Sequence, residues 1–201
     1  MKIGIMGGTF NPIHKGHILL AECAMEQYSF DRIWFMPLGH PAHKSDKELI
    51  SAKHRIAMVE LAIQGRQNYI LSTIETERTG NTYTSDTLLE LNKKYPEDEF
   101  YFLIGGDSLM KFHNWVRPDI ISKYAVLVAA GRNGYSKEEL MQQAERLKDS
   151  FGTKTLFLDM PELPISSNEI RMAIRMGKQE TIQSYIPEQV WNYIIQHQVY
   201  Q

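Results

Sequence analysis

The run Gly7-Gly8-Thr9-Phe10-Asn11-Pro12-Ile13-His14-Lys15-Gly16-His17 carries the most suggestive chemistry in the chain. Two adjacent glycines let a backbone come close to a phosphate. A helix starting near Gly16 adds N–H donors and a positive partial charge. His14 and His17 are three apart, so both rings can converge on one side of the helix entrance. An imidazole N–H there can donate to phosphate oxygens as charge builds on a phosphoryl group in transfer. A His-x-x-His pair can also hold a metal, but no HExxH pattern or nearby third ligand accompanies it. Two solvated histidines at a helix start are the plainer alternative, and the Gly-Gly turn before them weakens it. The run lacks both the G-x-G-x-x-G of a dinucleotide site and the Gly-Lys-Ser/Thr of a P-loop.

Other residues have chemistry of their own, each beside a structural alternative. Asp107 follows an apolar run and two glycines, so it can bond a ribose hydroxyl or adenine, or simply cap a helix. Trp115 offers an indole for stacking on a planar ring, or it belongs to the core. Ser166, Ser167 and Arg171 open another helix with hydroxyls, N–H groups and a guanidinium suited to an anion. Ser166 with Glu169 three residues later also reads as a capping box. Lys44, in the polar loop Gly39 to Leu49, can bring a mobile positive charge to a phosphate or merely face solvent. The lone Cys23 lies in an apolar stretch and reads as a small packing residue.

The elements that must position these residues are legible as alternation. Apolar runs at Ile3–Met6, Ile33–Met36, Tyr69–Ile74, Phe100–Ile104, Ala125–Ala129 and Thr155–Leu158 predict strands. Amphipathic segments near 16–28, 51–64, 85–95, 107–123 and 136–150 predict helices, with Ile56, Val59, Ala62 and Ile63 along one face of the second. That order predicts an α/β fold with a mostly parallel sheet and helices on both faces. Ligands of such sheets sit beyond the carboxyl ends of the strands, where the histidine run falls. After Leu158, Pro161 and Pro164 interrupt the chain, and two helices follow, one opened by Ser166 and one after Pro187. Residues 1–160 are expected to form the core and 161–201 a helical extension packed on it, one domain overall.

Composition narrows the classes further. A formal charge of −2 gives no basic footprint for a nucleic-acid backbone. One cysteine excludes an intrachain disulfide framework and a multi-cysteine zinc site. No apolar run approaches the ~18 residues of a membrane span, and the segment before Gly7 is too short for a signal peptide. A cytoplasmic location is the expectation, and a homo-oligomer is left open.

The histidine run resembles the (T/H)xGH signature of the nucleotidylyltransferase superfamily, which implies a Rossmann-like fold with both histidines on ATP phosphates. Four further stretches resemble bacterial nicotinate-nucleotide adenylyltransferases. They are Pro41-Ala42-His43-Lys44 with His54-Arg55, Glu75-Thr76-Glu77-Arg78 through Tyr83-Thr84-Ser85-Asp86-Thr87-Leu88, Gly105-Gly106-Asp107-Ser108-Leu109 with Trp115, and Ile165-Ser166-Ser167-Asn168-Glu169-Ile170-Arg171. The resemblance implies transfer of AMP from ATP to nicotinate mononucleotide, giving nicotinate adenine dinucleotide and pyrophosphate. It implies ATP contacts at Gly7, Gly8, Thr9, Phe10, His14, His17, Gly105, Asp107, Ile165, Ser166, Ser167 and Arg171. Mononucleotide contacts are implied at Asn11, Lys44, Thr82, Tyr83, Thr84 and Trp115, with His14, His17, Lys44 and Arg171 catalytic. Mg²⁺ is expected on the triphosphate, held by phosphate oxygens and water rather than by protein ligands.

Three positions bear on the match. Asn168 stands where the family commonly has threonine, and Arg132-Asn133-Gly134-Tyr135 lacks the proline of R-P-G-Y. Histidine at the first signature position favours the pyridine-nucleotide branch over phosphopantetheine adenylyltransferases. Rival readings are an adenylyltransferase for nicotinamide mononucleotide or phosphopantetheine, a non-catalytic nucleotide sensor, and a dehydrogenase. The missing G-x-G-x-x-G disfavours the last.

Overall fold

A computed structural model describes residues 1–41, 49–131, 134–161 and 163–201, without the side chains of His40 and Pro41. In chain order its elements are β1 (Lys2–Gly8), α1 (Lys15–Tyr28), β2 (Arg32–Pro37), β3 (His40–Pro41) and α2 (Ala52–Ile63). Next come β4 (Tyr69–Leu71), β5 (Asn81–Thr82), α3 (Thr84–Lys94), β6 (Glu99–Gly105), α4 (Gly106–Lys111) and α5 (Pro118–Tyr124). The chain closes with β7 (Ala125–Ala130), α6 (Lys137–Phe151), β8 (Thr155–Leu158), α7 (Ser167–Arg175) and α8 (Glu188–Gln196).

Six strands pair in parallel in the order β4-β2-β1-β6-β7-β8. The period-two alternation of strand side chains divides the core between two faces. Met6, Ile33, Phe35, Leu103 and Val128 point to the layer of α1, α2, α7 and α8. Ile3, Ile5, Trp34, Phe102 and Leu127 point to the layer of α3 to α6. The path runs outward from β1 through β2 to β4, then returns to lay β6 against the other side of β1. Connections from β1 and β6 therefore leave in opposite directions, and a crevice opens between their carboxyl ends.

Three sequence expectations change. The segment 107–123 is α4, a 3₁₀ turn at Phe112–Asn114, and α5. The break falls at Arg117, which takes φ 55° ahead of Pro118; proline disfavours the helical region for its predecessor. The strand expected over 69–74 stops at Leu71, and turns carry the chain on. The two-residue pair of β3 with β5, absent from the sequence reading, holds Asn81–Thr82 beside His40–Pro41.

The buried face of α2 also shifts. Val59, Ala62 and Ile63 lie on it as expected and Met58 joins them, but Arg55, one turn earlier, is fully buried while Ile56 is half-exposed. An arginine in an apolar stripe needs partners for its donors, and those partners lie in the site.

Candidate active site

The carboxyl ends of β1 and β6 frame a cavity of about 300 Å³, lined by Gly7, His17, Thr84, Gly105 and Trp115, among others. Gly7 is required by its neighbour: a Cβ there would stand 2.9 Å from the Phe102 ring on the adjoining strand. Trp115 is half-buried and meets Phe102 edge-on, with ring centroids 5.9 Å apart. It borders the cavity and also packs against the core through Phe112, with ring centroids 5.4 Å apart.

The histidines are fixed by the start of α1. His14 is its N-cap, 2% exposed, and its Nδ1 accepts the Gly16 N–H at 3.2 Å. The His14 N–H in turn donates to Nδ1 of His17 at 3.2 Å, closing a reciprocal cap in which both members are histidine. The ring centroids are 3.9 Å apart. Because each Nδ1 lone pair receives a backbone N–H, each neutral ring carries its proton on Nε2. Both imidazoles are thereby oriented donors held by the helix whose N-terminus they cap.

The loop between β1 and α1 is tied from behind by four side chains. Phe10 sits in the left-handed region at φ 47°, a costly conformation for a bulky residue, with its ring packed at 1% exposure. Arg55 donates to the carbonyls of Thr9 (2.9 Å), Gly39 (3.2 Å) and Ile50 (3.3 Å). Burial lowers its pKa from the ordinary arginine value. Ser167 donates to the Pro12 carbonyl at 2.9 Å, and Arg171 to that of Asn11 at 2.9 Å. The Tyr200 hydroxyl donates to Asn11 Oδ1 at 2.9 Å.

The sequence-derived residues thus separate. Gly7, His17, Thr84, Gly105 and Trp115 line the cavity. His14 lies behind His17 in the cap, and Gly8 and Thr9 continue the same loop. Asn11, expected as a mononucleotide contact, has its side chain 2% exposed and bonded to Tyr200. Arg171, 7% exposed, also donates to Asn168 Oδ1 at 3.1 Å, so part of its guanidinium faces protein. That bond gives Asn168 a role its departure from threonine did not suggest. Ser166 caps α7, accepting the Glu169 N–H and donating to its carboxylate at 2.7 Å. Ile165 is buried just before it. Asp107 is half-buried in the first turn of α4, whose cap is Gly105, and Ser108 rather than Asp107 borders the cavity. Thr82 is buried in β5, and Tyr83 is the N-cap of α3 without a side-chain cap bond. Lys44, with Ala42 and His43, and the pair Arg132-Asn133 lie outside the described residues.

Glu75 is the site residue that sequence reasoning passed over, although it opens one of the family-like stretches. Its carboxyl group is buried and borders the cavity. Oε1 accepts from the Thr87 hydroxyl at 2.7 Å, and Oε2 is buried without a partner. Burial raises its pKa; the Thr87 bond and the Arg78 charge oppose that shift. A carboxylate between a strand and a turn rich in threonine gave no signal of burial.

A six-stranded parallel sheet with a histidine-capped helix at its switch point has the architecture of the Rossmann-like nucleotidyltransferases. A relative from Lachnoclostridium phytofermentans named "Probable nicotinate-nucleotide adenylyltransferase" is 46% identical over 199 residues, covering 99% of this chain and 98% of its own. A relative of the same name from Clostridium novyi is 38% identical, covering 93% of this chain and 92% of its own. The structure of Plasmodium falciparum nicotinic acid mononucleotide adenylyltransferase complexed with NaAD superposes with a TM-score of 0.80 at 23% identity, over 99% of this chain and 97% of that one. It bears on the fold. The chain belongs to the cytidylyltransferase-like family, whose model matches residues 5–173, and within it to the nicotinate-nucleotide adenylyltransferases.

Proposed function

We propose that this enzyme joins the phosphate of nicotinate mononucleotide directly to the α-phosphorus of ATP, with no covalent enzyme intermediate. A phosphate oxygen of the mononucleotide forms the new bond, the bond from the α-phosphorus to the bridging oxygen breaks, and pyrophosphate leaves with the electron pair. The attacking phosphate has its second pKa near about 6, so it is largely ionised at neutral pH and needs no base. The protein's work is to hold two anions in line and stabilise the charge that shifts onto pyrophosphate.

The observation that carries this reading is the double-histidine cap. Two Nε2–H donors fixed at a helix N-terminus, next to glycines and a cavity, suit phosphate oxygens of a transferring group. Trp115 provides a face for the pyridine ring, and the turn of Thr82, Tyr83 and Thr84 provides polar groups for its carboxylate. Lys44 and Arg171 add positive charge to the phosphates in this proposal. Among the described residues no three His, Cys, Asp or Glu side chains gather to hold a metal ion. In this proposal Mg²⁺ sits on the triphosphate, held mainly by phosphate oxygens and water. Bound there, the ion would neutralise charge on the leaving pyrophosphate. Among the described residues no helix is long and apolar enough to cross a membrane, and we assign the reaction to the cytoplasm.

Pyrophosphate release from Mg-ATP tests the reading, with nicotinate mononucleotide, nicotinamide mononucleotide or phosphopantetheine supplied separately. Release with the nicotinate compound supports it. Release only with another acceptor moves the substrate, and silence with all three removes the reaction.

A further inference from the structure

Tyr200 lies against the loop between β1 and α1. Gln198 and Tyr200 both take left-handed backbone conformations, at φ 50° and 73°. Neither is glycine, so each conformation is strained and persists only where the surroundings hold it. Val199 is 5% exposed and Tyr200 is 7% exposed, and the phenol reaches Asn11 Oδ1 at 2.9 Å. Burial pushes the Tyr200 pKa up, with the charges of Arg171 and Arg55 pulling the other way. The hydroxyl donates to the Asn11 side-chain carbonyl oxygen.

We propose that Tyr200 is a positioning residue for nucleotidyl transfer, acting through Asn11. The phenol fixes the Asn11 amide while Arg171 fixes the Asn11 main-chain carbonyl. Together they anchor the residue three positions before the His14 cap, so the aim of both imidazoles depends on Tyr200 and Arg171. No element of the sheet supplies this contact: residue 200 comes back across 189 positions to make it. The proposal rests on the reading that the loop and its histidines serve ATP phosphates.

The test is Tyr200→Phe in the full chain, which keeps the ring in its space and removes only the hydroxyl. One buried hydrogen bond sets the scale: kcat is expected to fall about three- to tenfold, with KM for the mononucleotide changed less than about twofold. The thermal midpoint should stay within a few degrees. Asn11→Ala should lower kcat as well, and the double variant should be little worse than Asn11→Ala alone, because both remove one contact. Wild-type kcat in Tyr200→Phe, or losses that multiply in the double variant, would overturn the role. Mg-ATP affinity by calorimetry, with no acceptor present, keeps this inference apart from the reaction itself. If no acceptor yields pyrophosphate with the wild type, the proposed reaction fails and Tyr200 is judged on that affinity. A several-fold weaker Kd in Tyr200→Phe then supports positioning, and an unchanged Kd contradicts it.

Discussion

The front and the rear of the loop between β1 and α1 are built on opposite principles. At the front, Gly7, His17, Gly105 and Trp115 border a cavity, with the two imidazoles oriented by backbone N–H groups at their Nδ1 atoms. At the rear, the carbonyls of Thr9, Asn11 and Pro12 are all taken by side chains from distant elements, Arg55, Arg171 and Ser167. The front offers donors to a ligand, and the rear satisfies acceptors within the protein. A loop that must approach phosphates closely cannot carry bulky packing on its ligand side. Its rigidity has to come from behind, and polar side chains reaching main-chain carbonyls provide it. Residues of one binding signature thereby fall into two groups that act differently on the reaction.

Substitutions can break this division or sharpen it. The largest effect is expected at the front: His17→Ala should lower kcat on the order of 10²–10³-fold, read by pyrophosphate release, with a melt only a few degrees lower for the lost half of the α1 cap. A near-normal rate would remove His17 from the chemistry. At the rear, Arg55→Met leaves buried carbonyls without their donor and should cost about 2–3 kcal/mol in denaturant unfolding. A variant as stable as the wild type would mean that Arg55 does not hold the loop. Trp115→Ala should raise KM for the mononucleotide about three- to tenfold while KM for ATP stays nearly constant. Equal effects on both substrates would return Trp115 to the core.

The smallest effect concerns Glu75, which borders the cavity but is buried like a rear residue. Its pKa is raised by burial in the folded chain, so the folded state holds the proton more tightly than the unfolded one. The associated stability is fully present below the unfolded carboxyl pKa and is lost as pH rises through the folded value. Glu75→Gln removes that loss. The variant should melt slightly higher than the wild type at about pH 8, and the advantage should vanish by about pH 4. An equal midpoint at both pH values would show that the carboxyl group is not desolvated.

The front of the loop was legible in the sequence because local rules govern it. Gly7-Gly8 after an apolar run, and histidines three apart at a helix start, need only strand and helix geometry to be placed. The six main strands were legible for the same reason, through apolar runs of the right length. The rear was not. Arg55 occupies a helical position that polarity assigns to solvent, and its burial depends on carbonyls 16 and 46 residues away. Tyr200 and Asn11 meet across a separation that no spacing rule covers. Ser166 and Ser167 were readable as anion donors from their types at a helix start, and Asn11 was implied by the family resemblance; the packing of α7 and Tyr200 directs their side chains largely to protein. The break at Arg117 was written in Pro118, but an amphipathic pattern running across it concealed the turn.

The proposed reaction is adenylyl transfer to the nicotinate acceptor. Supplying nicotinate and nicotinamide mononucleotides together at equal concentration with Mg-ATP, and resolving the dinucleotide products, tests it most directly. Nicotinate adenine dinucleotide should form predominantly, in step with pyrophosphate. A majority of the nicotinamide product, or pyrophosphate without any dinucleotide, would contradict it.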